Sequence, residues 1–395
     1  MRIVVVGAGV AGLSLALWLR RAGLTCVLYE QARELSEVGA GIQLSPNAVR
    51  LLERVGLSTW DSVAVRPEAL DMRRWDDGAV LASTELGEAC RSRYGAPYLA
   101  IHRADLQRLL LEAVREGGTP IHLGRRCVGV EHCSDGRARV RFDTGEVADA
   151  DLVVGADGVQ SAVRAVLSPE QARFSGVVAY RTLVDASRLS GSMTSIREPR
   201  VWIWLGPGRH CVMYPVSDGR RYNVVAAIAR SRPATSGSWG SAVRMLELRG
   251  AFRGWDPELQ DVLAAAQDVT CWDLYHQAPM DRWSDGRVTV VGDAAHAMLP
   301  FGSQGANQAI ESAASLAMCL QATGFDVASG LERYERLRRP RLAQIRRFVH
   351  RNADDHHLDD GAGQRARDAA LASQDRRGTY DWLYGHDAEA EALAA

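Results

Sequence analysis

The stretch Ile3-Val4-Val5-Val6-Gly7-Ala8-Gly9-Val10-Ala11-Gly12 decides the fold. Its β-branched run reads as a buried parallel strand, and Gly7-x-Gly9-x-x-Gly12 follows without a break. In such a turn the first glycine makes the tight bend and the second lets the backbone approach a pyrophosphate. The third allows close packing of strand and helix. Residues 13–22 continue as an apolar helix, and residues 25–30 form a second buried strand ending in Glu30, whose carboxylate suits ribose hydroxyls. A glycine-rich turn alone is a weak signal. Between strand and helix, with an acidic residue closing the next strand, it predicts dinucleotide binding with the pyrophosphate over the helix N-terminus. The same three glycines interrupt the apolar run over residues 3–19, which argues against an export signal or a membrane span.

The 395 residues are 47% hydrophobic and 24% charged, enough for two or three domains with real cores. A formal net charge of −1 gives no electrostatic reason to expect nucleic acid or a membrane as partner. All 47 basic residues are Arg, which excludes Schiff-base chemistry on Lys and the lysine of a P-loop. The 7 cysteines are odd in number and scattered, without a CxxC pair. They predict no disulfide framework, no metal site and a cytoplasmic protein with reduced thiols.

Further along, residues 103–116 carry the best amphipathic helix, stopped by Gly117-Gly118. A strand-rich stretch then leads to Gly155-Ala156-Asp157-Gly158. Residues 175–272 alternate as an antiparallel sheet. A late buried strand over 287–291 precedes Gly292-Asp293, a helix from Gly305, a long basic helix over 330–351 and a polar tail. The predicted class is α/β. A Rossmann-like dinucleotide domain (1–74, 101–174 and 275–325) is interleaved with a mixed or antiparallel β-sheet substrate domain (75–100 and 175–274), and residues 326–395 form C-terminal helices and a tail.

Two more motifs join the first: Asp151-Leu152-Val153-Val154-Gly155-Ala156-Asp157-Gly158, with Ser161 and Arg164 beyond it, and Gly292-Asp293-Ala294-Ala295-His296. With Glu30 and Arg103, this ordered set resembles the flavoprotein aromatic hydroxylases of the 4-hydroxybenzoate hydroxylase type, over essentially the whole chain. The tail Tyr380-Asp381-Trp382-Leu383-Tyr384-Gly385-His386 is similar to that of the salicylate hydroxylase and 3-hydroxybenzoate 6-hydroxylase branch. The resemblance implies FAD as cofactor, NADH or NADPH and O2 as co-substrates, and oxygen transfer through a flavin C4a-hydroperoxide. It implies that Gly7, Gly9, Gly12, Glu30, Arg103, Asp157, Gly158 and Asp293 bind the cofactor, with the backbone at Val128 near the adenine. The segment from Pro300 through Gly305 to Asn307 resembles the loop beside the isoalloxazine, where backbone N–H groups and a helix N-terminus stabilise negative charge on the reduced ring. His296 is expected to be structural.

Strand alternation puts His210, Val212 and Tyr214 on one face, and Trp202 and Trp204 share a face of the strand before. Together they are expected to wall a site for a small phenolic or aminophenolic acid, with His210 as phenol base and Tyr214 as hydrogen-bond donor. Arg181 and Gln43 are further substrate candidates. The expected function is hydroxylation of such an acid, decarboxylative or not, within secondary metabolism, with a homodimer as the default assembly. Two rivals are an epoxidase or Baeyer–Villiger oxygenase acting on a larger natural product, and a non-catalytic FAD-binding redox protein.

Overall fold

A computed structural model describes residues 1–35, 40–170, 172–189, 198–233 and 241–394. The β-branched runs noted above pair as a six-stranded sheet in the order Ser284–Asp285, Val288–Val290, Leu152–Gly155, Ile3–Val6, Cys26–Glu30 and Ile121–Leu123. All neighbours are parallel except the short hairpin at the Ser284 edge. The inner strands are buried, which is why they read as continuous apolar runs rather than alternating ones. Helices Val10–Arg21 and Gly305–Ala322 pack together beside this sheet, so the first and last dinucleotide motifs meet in space.

The second large sheet has seven strands: Thr270–His276, Arg173–Asp185, Arg221–Ala229, Arg209–Val216, Arg200–Gly206, Ala69–Arg74 and Val80–Glu85. It takes a strand that the sequence boundary had left in the dinucleotide domain, because Ala69–Arg74 pairs in parallel with Arg200–Gly206. Helices Ser241–Ala251 and Pro257–Ala265 cover one face. The other face looks toward the dinucleotide domain and the C-terminal segment.

That segment is more ordered than a polar tail. The basic helix runs Val327–His356 and is followed by helices Ala362–Ser373, Asp381–Tyr384 and Ala388–Ala394. Buried charge fixes it in place. Glu311, fully buried, accepts from Arg338 at 2.6 Å and from Arg341 at 3.2 Å, and Arg341 also donates to the carbonyls of Trp382 and Leu383. Arg54 pairs with Asp387 at 2.7 Å and Glu389 at 2.8 Å, fastening the end of the chain to helix Pro46–Arg54.

Candidate active site

The cofactor cleft starts at the glycine turn. Gly7 has φ +103°, and its N–H donates to the Tyr29 carbonyl at 2.7 Å. A Cβ there would lie 2.4 Å from the Ala156 carbonyl oxygen, and one at Gly12 would lie 1.9 Å from the Gly7 oxygen. Both positions therefore require glycine, and the first motif is locked against the second. Gly9 is different: among the described residues, nothing lies within 4 Å of where its Cβ would be. That open side sits over the start of helix Val10–Arg21, which no side chain caps, as a pyrophosphate needs.

Glu30 accepts from the N–H groups of Ala8 at 2.8 Å and Ala32 at 2.9 Å, one to each carboxylate oxygen. Each oxygen keeps a lone pair for a ribose hydroxyl. The Arg125 N–H donates to the Glu30 carbonyl, so the chain leading to the exposed Val128 passes beside this end of the cleft. At the other end Asp293 is open to solvent yet surrounded by protein, as a group on the floor of a deep cleft is. Desolvation pushes its carboxyl pKa up, and the facing Arg103 guanidinium opposes the rise. A Cβ on Gly305 would come only to 4.0 Å from Asp293 Oδ1, so this carboxylate stands at the N-terminus of helix Gly305–Ala322. Before that helix, Gly302 (φ +143°) and Ser303 (φ +54°) form a tight loop whose N–H groups turn back onto the Pro300 carbonyl. An open cradle, a ribose acceptor and a charged far end together fit FAD.

Two further cofactor candidates are tied into the walls of the cleft. Asp157 spends its carboxylate on Ser161 Oγ at 2.5 Å and the N–H groups of Ala162 and Val163, capping the turn into Arg164–Leu167. Asn307 donates to the carbonyls of Gln43 and Ser303 and accepts from the Ser45 N–H at 2.9 Å. Both side chains are held in place by their own protein, with one lone pair left on each Oδ1. Gly158, at φ +77° with open space around it, supplies the turn.

Next to Pro300–Ser303 lies a partly enclosed cavity between the free face of the seven-stranded sheet and the C-terminal segment. Ile203, His210 and Val212 form its sheet wall; Phe301, Phe348, Asn352 and His356 close one side, and Gln43, Tyr98, Tyr380 and Tyr384 the other. Tyr98 Oη donates to Gln43 Oε1 at 2.6 Å. No Arg, Asp or Glu is among the described residues that line it, so a bound ring meets aromatic faces and neutral dipoles. Burial, with His356 and His357 alongside, pushes the His210 pKa well below its ordinary value, so the imidazole is neutral at pH 7.

The expected tryptophan wall is corrected by the strand register. Trp204 pairs with Cys211 and Trp202 with Met213, whereas Ile203 pairs with Val212 and Leu205 with His210. Paired residues share a face, so both tryptophans lie on the face opposite His210, packed with Cys211, Met213 and Phe252 under the two helices. Trp204 Nε1 donates to Asp256 at 2.6 Å in that dry layer. Tyr214 is on the His210 face but behind the cavity wall, against Gly41 and in hydrogen-bond contact with Gln43. Arg181 lies near Tyr214 and Arg103, off the cavity wall. His296 is fully buried, bonded to Ser312 Oγ at 3.0 Å and stacked near Trp283.

Several lining groups escaped the sequence reading: Tyr98, Phe348, Asn352, His356 and the ring faces of Tyr380 and Tyr384. The signal available was the aromatic density of the tail and the adjacent pair His356-His357, in a stretch too polar to predict as part of a wall.

A glycine-turn cleft of this kind, opening beside an aromatic cavity, defines a flavoprotein that brings a small ring to the edge of its cofactor. The chain belongs to the FAD binding domain family, whose model matches residues 1–349. It is similar to the 3-amino-4-hydroxybenzoate 2-monooxygenase PtmB3 of Streptomyces platensis, 43% identical and covering 98% of this chain and 96% of that one. The 3-amino-4-hydroxybenzoate 2-monooxygenase of Streptomyces cremeus is 44% identical over the same shares. Among solved structures, Klebsiella pneumoniae HpxO complexed with FAD and uric acid superposes with a TM-score of 0.85 at 26% identity, covering 97% and 96% of the two chains. The chain is thus an FAD-dependent monooxygenase of aromatic acids that consumes O2 and a reduced nicotinamide. No described helix is long and apolar enough to cross a membrane.

Proposed function

We propose that the substrate is an amino-hydroxybenzoate, with 3-amino-4-hydroxybenzoate hydroxylated at C2 as the first candidate. The observation that carries this reading is identity of 43–44% to two enzymes of that name along nearly the whole chain. The cavity supports it: aromatic walls, no ionised lining group, and a neutral imidazole at one end.

When bound in this cleft, FAD would supply the redox chemistry with the nicotinamide and O2; the chain's own part is positioning, exclusion of water and proton handling. Phe301 and Phe348 fix the plane of the ring, while Gln43 and the hydroxyls of Tyr98, Tyr380 and Tyr384 offer dipoles to a carboxylate. The position of attack changes the task expected of His210. C2 is ortho to the amine and meta to the hydroxyl, so the amine lone pair, not a phenolate, feeds charge into the carbon attacked. An imidazole held well below its ordinary pKa is also a poor base for a resting phenol, whose pKa is about 10. It suffices for an N–H made acidic as its nitrogen gives up electron density. His210 therefore takes the proton from the amine during oxygen transfer.

The reduced nicotinamide and the free thiols of all 7 cysteines suit a cytoplasmic setting. The test is NADH and NADPH oxidation by the FAD-loaded protein with 3-amino-4-hydroxybenzoate, 3-aminobenzoate, 4-hydroxybenzoate and hydroxynicotinates, with product mass. Hydroxylation of both amino acids of the panel, with 4-hydroxybenzoate left unhydroxylated, is the expected result. Hydroxylation of 4-hydroxybenzoate alone overturns the amine reading.

A further inference from the structure

His210 lines the cavity and is itself only 3% exposed, so a proton it accepts has no direct way to water. Its Nδ1 lies 2.8 Å from Nε2 of His357. His357 follows the last turn of helix Val327–His356 and is partly exposed, so the two rings together span from the cavity to the surface. The contact is held from both sides. The Gly208 N–H, in the turn just before His210, donates to the His357 carbonyl at 3.2 Å, and the ring of Phe301 stands edge-on to both imidazoles. His356 also faces His210, with ring centroids 5.0 Å apart, but it is buried and its Nδ1 has no partner, so it leads nowhere.

We propose that His210 and His357 form a two-imidazole proton conduit between the substrate cavity and solvent, with His357 as its outer member. This rests on the functional reading above, since the proton comes from the substrate amine. At the start, His210 carries its proton on Nδ1 and His357 on Nδ1. The substrate N–H proton passes to His210 Nε2, the His210 Nδ1 proton passes to His357 Nε2, and the His357 Nδ1 proton leaves to water. The electron pair of the N–H bond stays on the substrate. The hydrogen lost from C2 as the ring regains aromaticity ends in the water that the reaction forms; when the product regains its N–H proton the sequence runs inward and restores both tautomers, so no net proton stays in the pair.

The surroundings keep both rings neutral, as a tautomer relay requires. Burial, with Arg209 beside it, lowers the His357 pKa to about 4. The other groups facing the pair are His356, lowered to about 3, and Arg367 next to it. Among the described residues, no carboxylate is one of the charged groups acting on the three imidazoles.

The experiment uses the FAD-loaded enzyme and its His357→Gln and His357→Ala variants. Glutamine can hydrogen-bond to His210 but cannot pass a proton on. With 3-amino-4-hydroxybenzoate, or whichever acid of the panel the unaltered enzyme hydroxylates, single-turnover hydroxylation is expected to slow ~10–100-fold in both variants, with hydrogen peroxide replacing product. Substrate affinity and the rate of flavin reduction stay within about threefold, and added imidazole restores hydroxylation in His357→Ala but not in His357→Gln. Unchanged hydroxylation in both variants overturns the conduit and leaves the functional reading intact. So does a loss that imidazole does not rescue and that affinity and reduction share. If the unaltered enzyme hydroxylates none of these acids, the functional reading falls and the conduit with it.

Discussion

The two faces of the seven-stranded sheet are built from the same strands and do opposite work. Trp202, Trp204, Cys211 and Met213 face the two covering helices and are sealed. Ile203, His210 and Val212, one residue out of phase, face the cavity. Volume and polarity separate them. The sealed face is filled by large side chains and holds the Trp204 indole hydrogen bond to Asp256 inside. The cavity face keeps small and medium side chains and places its polar atoms where a ligand can reach them. A one-residue change of phase thus separates stability from chemistry on a single pair of strands.

Substitution on either side tests that separation, and the largest effect is expected on the sealed face. Trp204→Ala removes a fully buried ring and one of the hydrogen bonds to Asp256, at a cost of about 3–5 kcal/mol. Urea unfolding followed by circular dichroism measures this, and the folded fraction should keep its coupling of nicotinamide oxidation to hydroxylation. A comparable loss is expected where the cavity's other wall is anchored. Glu311→Ala leaves Arg338 and Arg341 buried without their carboxylate, costing about 3–5 kcal/mol by the same assay.

The same anchor predicts a pH dependence. The guanidinium groups beside Glu311 hold its carboxyl far below the ordinary value despite burial, so its contribution is full above about pH 4.5 and lost as pH falls further. The buried histidines act in the same direction from a higher starting point. His210, His296, His356 and His357 all have lowered pKa values, so the unfolded chain binds more protons than the native one as pH drops below about 6.5. Thermal unfolding should therefore weaken steadily from pH 7 to pH 5 and more steeply below pH 4.5. A Tm independent of pH over 5–7 contradicts the neutral-histidine cluster.

The smallest effect is expected from Tyr98→Phe. It removes one buried hydrogen bond to Gln43 and costs about 1 kcal/mol, with a larger change in substrate KM than in Tm. A lowered Tm with an unchanged KM would mean that Tyr98 only packs.

The dinucleotide cleft was far more legible in the sequence than the cavity, for a physical reason. Gly7, Gly9, Gly12 and Glu30 lie within one βαβ unit, where local sterics dictate residue type at fixed spacing. Even there, the side-chain bonds of Asn307 to Gln43 and Ser45 depend on partners that its own loop does not contain. The cavity is assembled from segments as far apart as Gln43, His210 and Tyr384. Alternation placed His210, Val212 and Tyr214 together, but which tryptophans share their face depends on register across a turn. Period-2 patterning leaves that register open when both faces are apolar. The tail was opaque because its order comes from Glu311, Arg341 and Arg54, charged groups whose partners sit far away in sequence.

The most direct test of the account is hydroxylated product formed per NAD(P)H consumed, measured with 3-amino-4-hydroxybenzoate for the unaltered enzyme, His210→Gln and Trp202→Phe. The account predicts near-complete coupling in the first, a severalfold drop with hydrogen peroxide release in His210→Gln, and coupling indistinguishable from the unaltered enzyme in Trp202→Phe. Full coupling in His210→Gln, or uncoupling confined to Trp202→Phe, would place the chemistry on the wrong face of the sheet and contradict it.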